Sequence, residues 1–204
     1  MSYICLLLSG AALLINGLGL LGRVPARDSG FFNLAIGALQ LGIALLIASA
    51  GGTGAATSAA GIVLFGLTYL YVGLSSVAGL GSAGVGWFCG FVAVLALGFA
   101  ATSAARDPLT SVLWLSWAVL WTLFFLLLAR GAARLTSVTA WSAILVGTCS
   151  TVLPAALGLT GVWPTDVTAV IISAVVLGVL YSVAATVGAR PVQPVAAART
   201  PVTA

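Results

Sequence analysis

The sequence predicts an all-α polytopic membrane protein, and three observations carry that reading. Of its 204 residues, 62% are hydrophobic and only 5% are charged, which leaves too little polar surface to cover a soluble domain. Seven apolar runs reach the length, about 18 residues or more, that a helix needs to cross the hydrocarbon core. Within each run the hydrophobicity is continuous rather than alternating, which favours helices over barrel strands.

The runs are 3–22, 31–50, 61–79, 86–103, 109–129, 138–159 and 167–187. The first has no basic residues before it, and Arg23 and Arg27 follow it. It therefore reads as a retained span inserted with its N-terminus outside, not as a cleaved signal peptide. The loop 51–60 between the second and third runs is short, small and uncharged. Gly and Ala are frequent throughout, as close-packed membrane helices prefer. In the sixth run Pro154 predicts a kink that frees a backbone carbonyl. The tail 189–204, rich in Pro and Ala with no apolar period, is expected to be cytoplasmic and disordered.

The arginines set the orientation. Six of the seven fall in the first and fifth loops and the tail, against Arg106 alone on the other side. By the positive-inside rule the N-terminus is outside, the C-terminus is cytoplasmic, and odd-numbered spans run inward. Aromatic residues open the even-numbered spans at Phe32, Trp87 and Trp141, 55 and 54 residues apart. Three copies of a two-helix hairpin would produce this spacing, and so would ordinary interfacial aromatics.

The fifth span contains SVLWLSWAVLWTLFF (111–125), in which Trp114, Trp117 and Trp121 fall on one helical face. Trp117 and Trp121 lie well inside the span, where an indole N–H must find a partner or line a cavity. An aromatic packing seam and the wall of a pore are both open at this point. Other polar groups also share faces. Ser9, Leu13 and Asn16 do so on the first span, Asn33 and Gln40 on the second, and Phe65, Thr68 and Tyr69 on the third. For Asn16, Asn33 and Gln40 the expectation is interhelical hydrogen bonding, worth about 0.6–2 kcal/mol each. For Thr68 and Tyr69 it is contact with a solute.

The seven Arg and three Asp are the whole charged inventory, and none lies inside an apolar run. Coupled transporters keep ionisable groups near the midplane, and ion channels need rings that replace hydration. A solute crossing here is expected to be small and neutral. With no His, Glu or Lys, no nucleophile–base pair can be assembled, and no enzyme is expected. Cys5, Cys89 and Cys149 have no metal-ligand spacing, so no metal and no cofactor is expected. The basic pI comes from membrane-flanking arginines and implies a lipid bilayer rather than nucleic acid.

Three stretches resemble the urea/amide channel (AmiS/UreI) family: LING (14–17), LFGLTYLY (64–71) and LWLSWAVLW (113–121). They are similar to motifs of its first, third and fifth spans, and Trp87 and Trp141 fall in matching places. The resemblance runs from Met1 to about Val162. It implies a six-helix unit over 1–162, built as three two-helix hairpins around a pore within each protomer, and a hexameric ring of protomers. An extra C-terminal transmembrane helix (163–188) and the tail follow. The resemblance also implies two constrictions, with Leu13, Phe65, Tyr69, Trp117, Leu120 and Trp121 as candidates. Ser9 replaces an aliphatic residue at the entrance, and Trp114 lies nearer the outer surface. The family's acid-gated urea channel has a His-rich loop where this chain has 51–60, and a glutamate where it has Val146.

Those departures imply the amide-transporter branch. Its expected features are an ungated passive pore in a bacterial inner membrane, substrates such as acetamide or urea, and pairing with a cytoplasmic amidase. The alternatives are a non-conducting scaffold subunit and a proton-coupled amide transporter.

Overall fold

A computed structural model of the chain describes residues 2–189; the tail expectation, apart from Ala189, lies outside them. Seven helices are long and apolar enough to cross a membrane: α1 (Tyr3–Leu20), α2 (Ala26–Ala50), α3 (Ala55–Ala78), α4 (Ala83–Ser103), α5 (Pro108–Leu128), α6 (Ala133–Leu159) and α7 (Val167–Gly188). Among the described residues there is no strand. All seven expected spans are present. Several helices start a turn or more before the apolar run, because the backbone stays helical through the headgroup region.

Consecutive helices run antiparallel, so the bundle has two faces. The N-terminal face carries Tyr3 and the loops before α3, α5 and α7. The C-terminal face carries the loops that hold Arg23 and Arg130, with Arg27 and Arg134 in the first turns that follow them. Local signals fix the ends. Asp107 caps α5, accepting from the Thr110 backbone N–H at 3.0 Å, with Pro108 in the first turn. Asp166 caps α7 in the same way through the Ala169 N–H at 2.8 Å. Gly79 ends α3 in the left-handed conformation, φ 67°, which a side chain would disfavour.

The helices pack as pairs, α2 with α3, α4 with α5, and α6 with α1. The third pair joins the two ends of the six-helix unit, so the ring is closed by non-consecutive spans. Glycines bring each pair together. A Cβ on Gly37 of α2 would lie 2.6 Å from the Leu70 backbone nitrogen of α3, and one on Gly73 would lie 2.7 Å from that of Leu34. A Cβ on Gly17 of α1 would lie 2.7 Å from the Ala140 carbonyl of α6. Small residues permit such approach, and backbone proximity supplies the packing energy that lipid cannot.

The α6 segment is irregular. A 3-10 turn (Ala133–Leu135) leads into an α segment (Thr136–Ser142), a π-helical turn (Ala143–Gly147) and a second α segment (Thr148–Leu159) that contains Pro154. Each residue added by a π turn rotates the downstream side chains by about 100°. The helix α7 lies outside the paired ring. Its Tyr181 hydroxyl donates to the Ser116 carbonyl of α5 at 2.6 Å, and Gly188 meets the backbone of Val138 on α6.

Candidate solute pathway

The interior is built on Phe65 of α3. Its ring lies 4.6 Å from Trp121, 5.1 Å from Trp117, 6.1 Å from Trp114 and 6.2 Å from Tyr69, centroid to centroid. The contact with Trp117 is edge-on at 90°, the arrangement that ring quadrupoles favour. The third-span and fifth-span faces recognised in the sequence thus meet directly. All five aromatic side chains are buried.

Two cavities approach this cluster from opposite faces. One of about 250 Å³ opens from the C-terminal face. Leu13, Phe65, Thr68, Tyr69, Trp117, Leu120 and Trp121 line its deep end, and Asn16, Ser29, Ser75, Ser76 and Ser82 add hydroxyls and an amide along it. The other, about 190 Å³, enters from the N-terminal face between Tyr3, Leu6, Asp107, Thr110, Leu113 and Trp163, and also ends on Trp117. Trp117 is the one side chain common to both. No Arg, Asp, Glu, Lys or His lines the larger cavity.

The Trp117 indole is held in place by its polar atom. Its Nε1–H donates to the Ser150 hydroxyl at 2.9 Å, and that hydroxyl donates to the Gly147 carbonyl at 3.3 Å. With the N–H satisfied, Trp117 presents only ring surface to the cavities. The Thr68 hydroxyl donates back to the Leu64 carbonyl at 2.7 Å, so toward a solute it can only accept. The Tyr69 hydroxyl donates to the Ser9 carbonyl at 3.4 Å. Leu13 and Leu120 share a small apolar cluster with Ala143.

Two sequence candidates, Ser9 and Trp114, line neither cavity. The Ser9 hydroxyl, 2% exposed, accepts from Gln40 Nε2 at 2.9 Å, so it faces α2. Trp114 stacks on Phe99 of α4 at 4.6 Å, with 18° between planes, behind the lining. Polar side chains join α1 to α2. Asn16 and Asn33 exchange amide hydrogen bonds at 3.0 and 2.6 Å, and Ser29 donates to Asn16 Oδ1 at 3.2 Å. Gln40 Nε2 also reaches the Cys5 carbonyl at 2.8 Å. Sequence reasoning missed Ser150, Asp107 and Trp163. Asp107 was recognisable as a helix cap, but nothing local marks it as bordering a cavity.

The match to the model of the AmiS/UreI family transporters covers residues 1–162. A Rhodococcus erythropolis protein named "Putative transporter protein AmiS2" is 47% identical over 165 residues, 79% of this chain and 80% of its own. A Mycolicibacterium smegmatis "Putative amidate substrates transporter protein" is 40% identical over 160 residues, 76% of this chain and 75% of its own. The closed-state electron cryo-microscopy structure of the Helicobacter pylori urea channel superposes with a TM-score of 0.72 at 26% identity, covering 80% of this chain and 100% of that one. A crystal structure of that channel does so at 25% identity with the same TM-score. With its family match over 1–162 and relatives at 47% and 40% identity, the chain belongs to the AmiS/UreI family of membrane transporters.

Proposed function

We propose that the chain is a passive pathway for small neutral amides, with Phe65, Trp117 and Trp121 as its size filter. The observation that carries this reading is the meeting of two cavities, one from each face, on a single indole. The walls at that point are aromatic and aliphatic. Desolvating an ion there would cost on the order of tens of kcal/mol, whereas a flat amide can pass its edges across ring faces without tight binding. Weak contact is what allows throughput. The names of the relatives and the urea channel's likeness support amides, with acetamide and urea as the leading solutes.

On this reading Leu13, Tyr69 and Leu120 narrow the deep end of the larger cavity, while Thr68 and the serines accept hydrogen bonds from a passing amide. The arginines on the C-terminal face support a cytoplasmic position for that face in a bacterial inner membrane, where an amidase would consume the solute. The family resemblance supports a hexameric ring in which each protomer carries its own pathway.

Stopped-flow swelling of proteoliposomes with acetamide, urea and glycerol tests the proposal. Acetamide is expected to enter at least tenfold faster than into empty liposomes, and glycerol much more slowly. Equal rates with and without protein would refute the reading. If the chain were a scaffold, replacing Trp121 would lower stability and leave permeability at the bilayer background. Accumulation of labelled acetamide against its gradient would instead favour coupled transport.

A further inference from the structure

The N-terminal cavity contains one charged side chain, and it stands on a segment with two contributors. Asp107 comes from the loop before α5, inside the family match, while Trp163 comes from the loop before α7, just beyond residue 162. The Trp163 indole N–H points at Asp107 Oδ1 at 3.4 Å, and its ring lies 5.7 Å from that of Tyr3 at 34°. Thr110 supplies the other contacts, its backbone N–H to Oδ1 at 3.0 Å and its hydroxyl to Oδ2 at 2.6 Å. These three donors, the hydrogen-bond partners of Asp107 among the described residues, are all neutral. A carboxylate has about four lone-pair sites. With three occupied, acceptor capacity remains at Oδ2 and on the Thr110 hydroxyl.

We infer that this mouth is a recognition site for the N–H edge of an amide, with Asp107 as the acceptor and Trp163 as the wall. Hydrogen bonds to an ionised acceptor are about twice as strong as neutral ones. Tyr3, Leu6 and Trp163 line the same cavity, so ring and aliphatic surface borders the carboxylate. An amide oriented by its N–H edge at Asp107 then advances toward Trp117 at the cavity floor. The segment 163–188 acquires a role by this argument. Anchored by the Tyr181 hydroxyl on the Ser116 carbonyl, α7 holds Trp163 over a mouth that the six-helix unit alone would leave open on one side.

The site deepens the amide-pathway reading and rests on it, but a charged amide mimic separates the two. Acetamidinium has the shape of acetamide, carries more N–H groups and bears a positive charge. It is expected to dock on Asp107 and, being charged, to stop at the apolar filter. The full-length protein in proteoliposomes is assayed for acetamide flux with acetamidinium added at either side, with tetramethylammonium, which has the charge and no N–H, as control. Tryptophan fluorescence of the detergent-solubilised protein reads acetamidinium binding independently of flux.

The wild type is expected to show saturable block by acetamidinium, strongest from the N-terminal face, and no comparable block by tetramethylammonium. Asp107→Asn and Asp107→Ser both preserve a helix-capping oxygen. Each is expected to raise the half-blocking acetamidinium concentration at least tenfold and to raise the acetamide concentration needed for half-maximal flux. Trp163→Ala is expected to weaken block, and Trp163→Phe, which keeps the ring on Tyr3 and frees Oδ1, to retain it. Absence of block in the wild type, or equal block in both Asp107 variants, would overturn the site. Wild-type block in Trp163→Ala would remove the role given to the α7 segment. If the wild type moved no acetamide, the pathway reading would fall, while the fluorescence titration would still decide the site: saturable binding lost in Asp107→Asn sustains it, and none in the wild type ends it.

Discussion

Trp117 commits its one polar atom to Ser150, and that bond fixes the ring on which both cavities end. Ser150→Ala would leave a buried indole N–H without a partner, at a cost of about 1–3 kcal/mol. The expected result is a lower melting temperature in detergent together with altered acetamide flux, as the freed ring changes its tilt. Unchanged flux with lowered stability would mean that the bond serves packing alone. Trp121 differs, because its neighbour is the Phe65 ring at 4.6 Å. Trp121→Ala removes a wall from the larger cavity, so glycerol is expected to permeate severalfold faster relative to acetamide. The ratio of the two rates in stopped flow reads this directly, since a general loss of active protein lowers both. The sequence made the tryptophan face and the opposing Phe65–Tyr69 face visible through helical periodicity. It did not reveal Ser150 as Trp117's partner, because the π turn at Ala143–Gly147 lies between the start of α6 and that residue and shifts the register.

At the scale of elements, glycines determine how closely the walls approach. A Cβ at Gly37 would press on backbone atoms of α3, 2.6 Å from the Leu70 nitrogen and 2.7 Å from the Gly66 carbonyl oxygen. Backbone cannot swing aside, so Gly37→Ala should separate α2 from α3 and destabilise the protein by about 1–3 kcal/mol or more, measured as a fall in thermal midpoint. Gly147→Ala is a gentler case. Its Cβ would meet Leu13 Cδ1 at 2.9 Å and Leu13 Cβ at 3.1 Å. The flexible end of Leu13 can move, and the larger cavity is the space beside it. Gly147→Ala is therefore expected to slow acetamide flux severalfold with little change in melting temperature, the reverse of the pattern for Gly37→Ala. The hydropathy pattern located every helix but placed starts late, at 31 rather than Ala26 and at 138 rather than Ala133. Hydropathy marks the hydrocarbon, and the helices continue beyond it. Pairing of α6 with α1 was not legible, since nothing in the sequence of either names a partner more than a hundred residues away.

Across the described residues of the molecule, charge is confined to the two faces, and this distribution governs the response to pH. A gate that opens in mild acid needs a group that takes up a proton between about pH 5 and 8, and histidine is the side chain whose ordinary value lies there. The chain has none. Its charged side chains are aspartates and arginines. The 51–60 segment on the N-terminal face, a short loop followed by the start of α3, is built of Gly, Ala, Thr and Ser, so it offers nothing for a proton to act on. Acetamide flux through the reconstituted protein is therefore expected to change less than twofold between pH 5 and pH 8. The measurement is stopped-flow swelling at several pH values with identical liposomes, each rate divided by that of protein-free vesicles at the same pH. A tenfold rise toward pH 5 would show that some group outside this inventory, or the lipid itself, opens the path. A flat profile would leave solute size and the Phe65–Trp117–Trp121 filter as the controls on flux, as expected for a filter made of three rings that carry no acid or base.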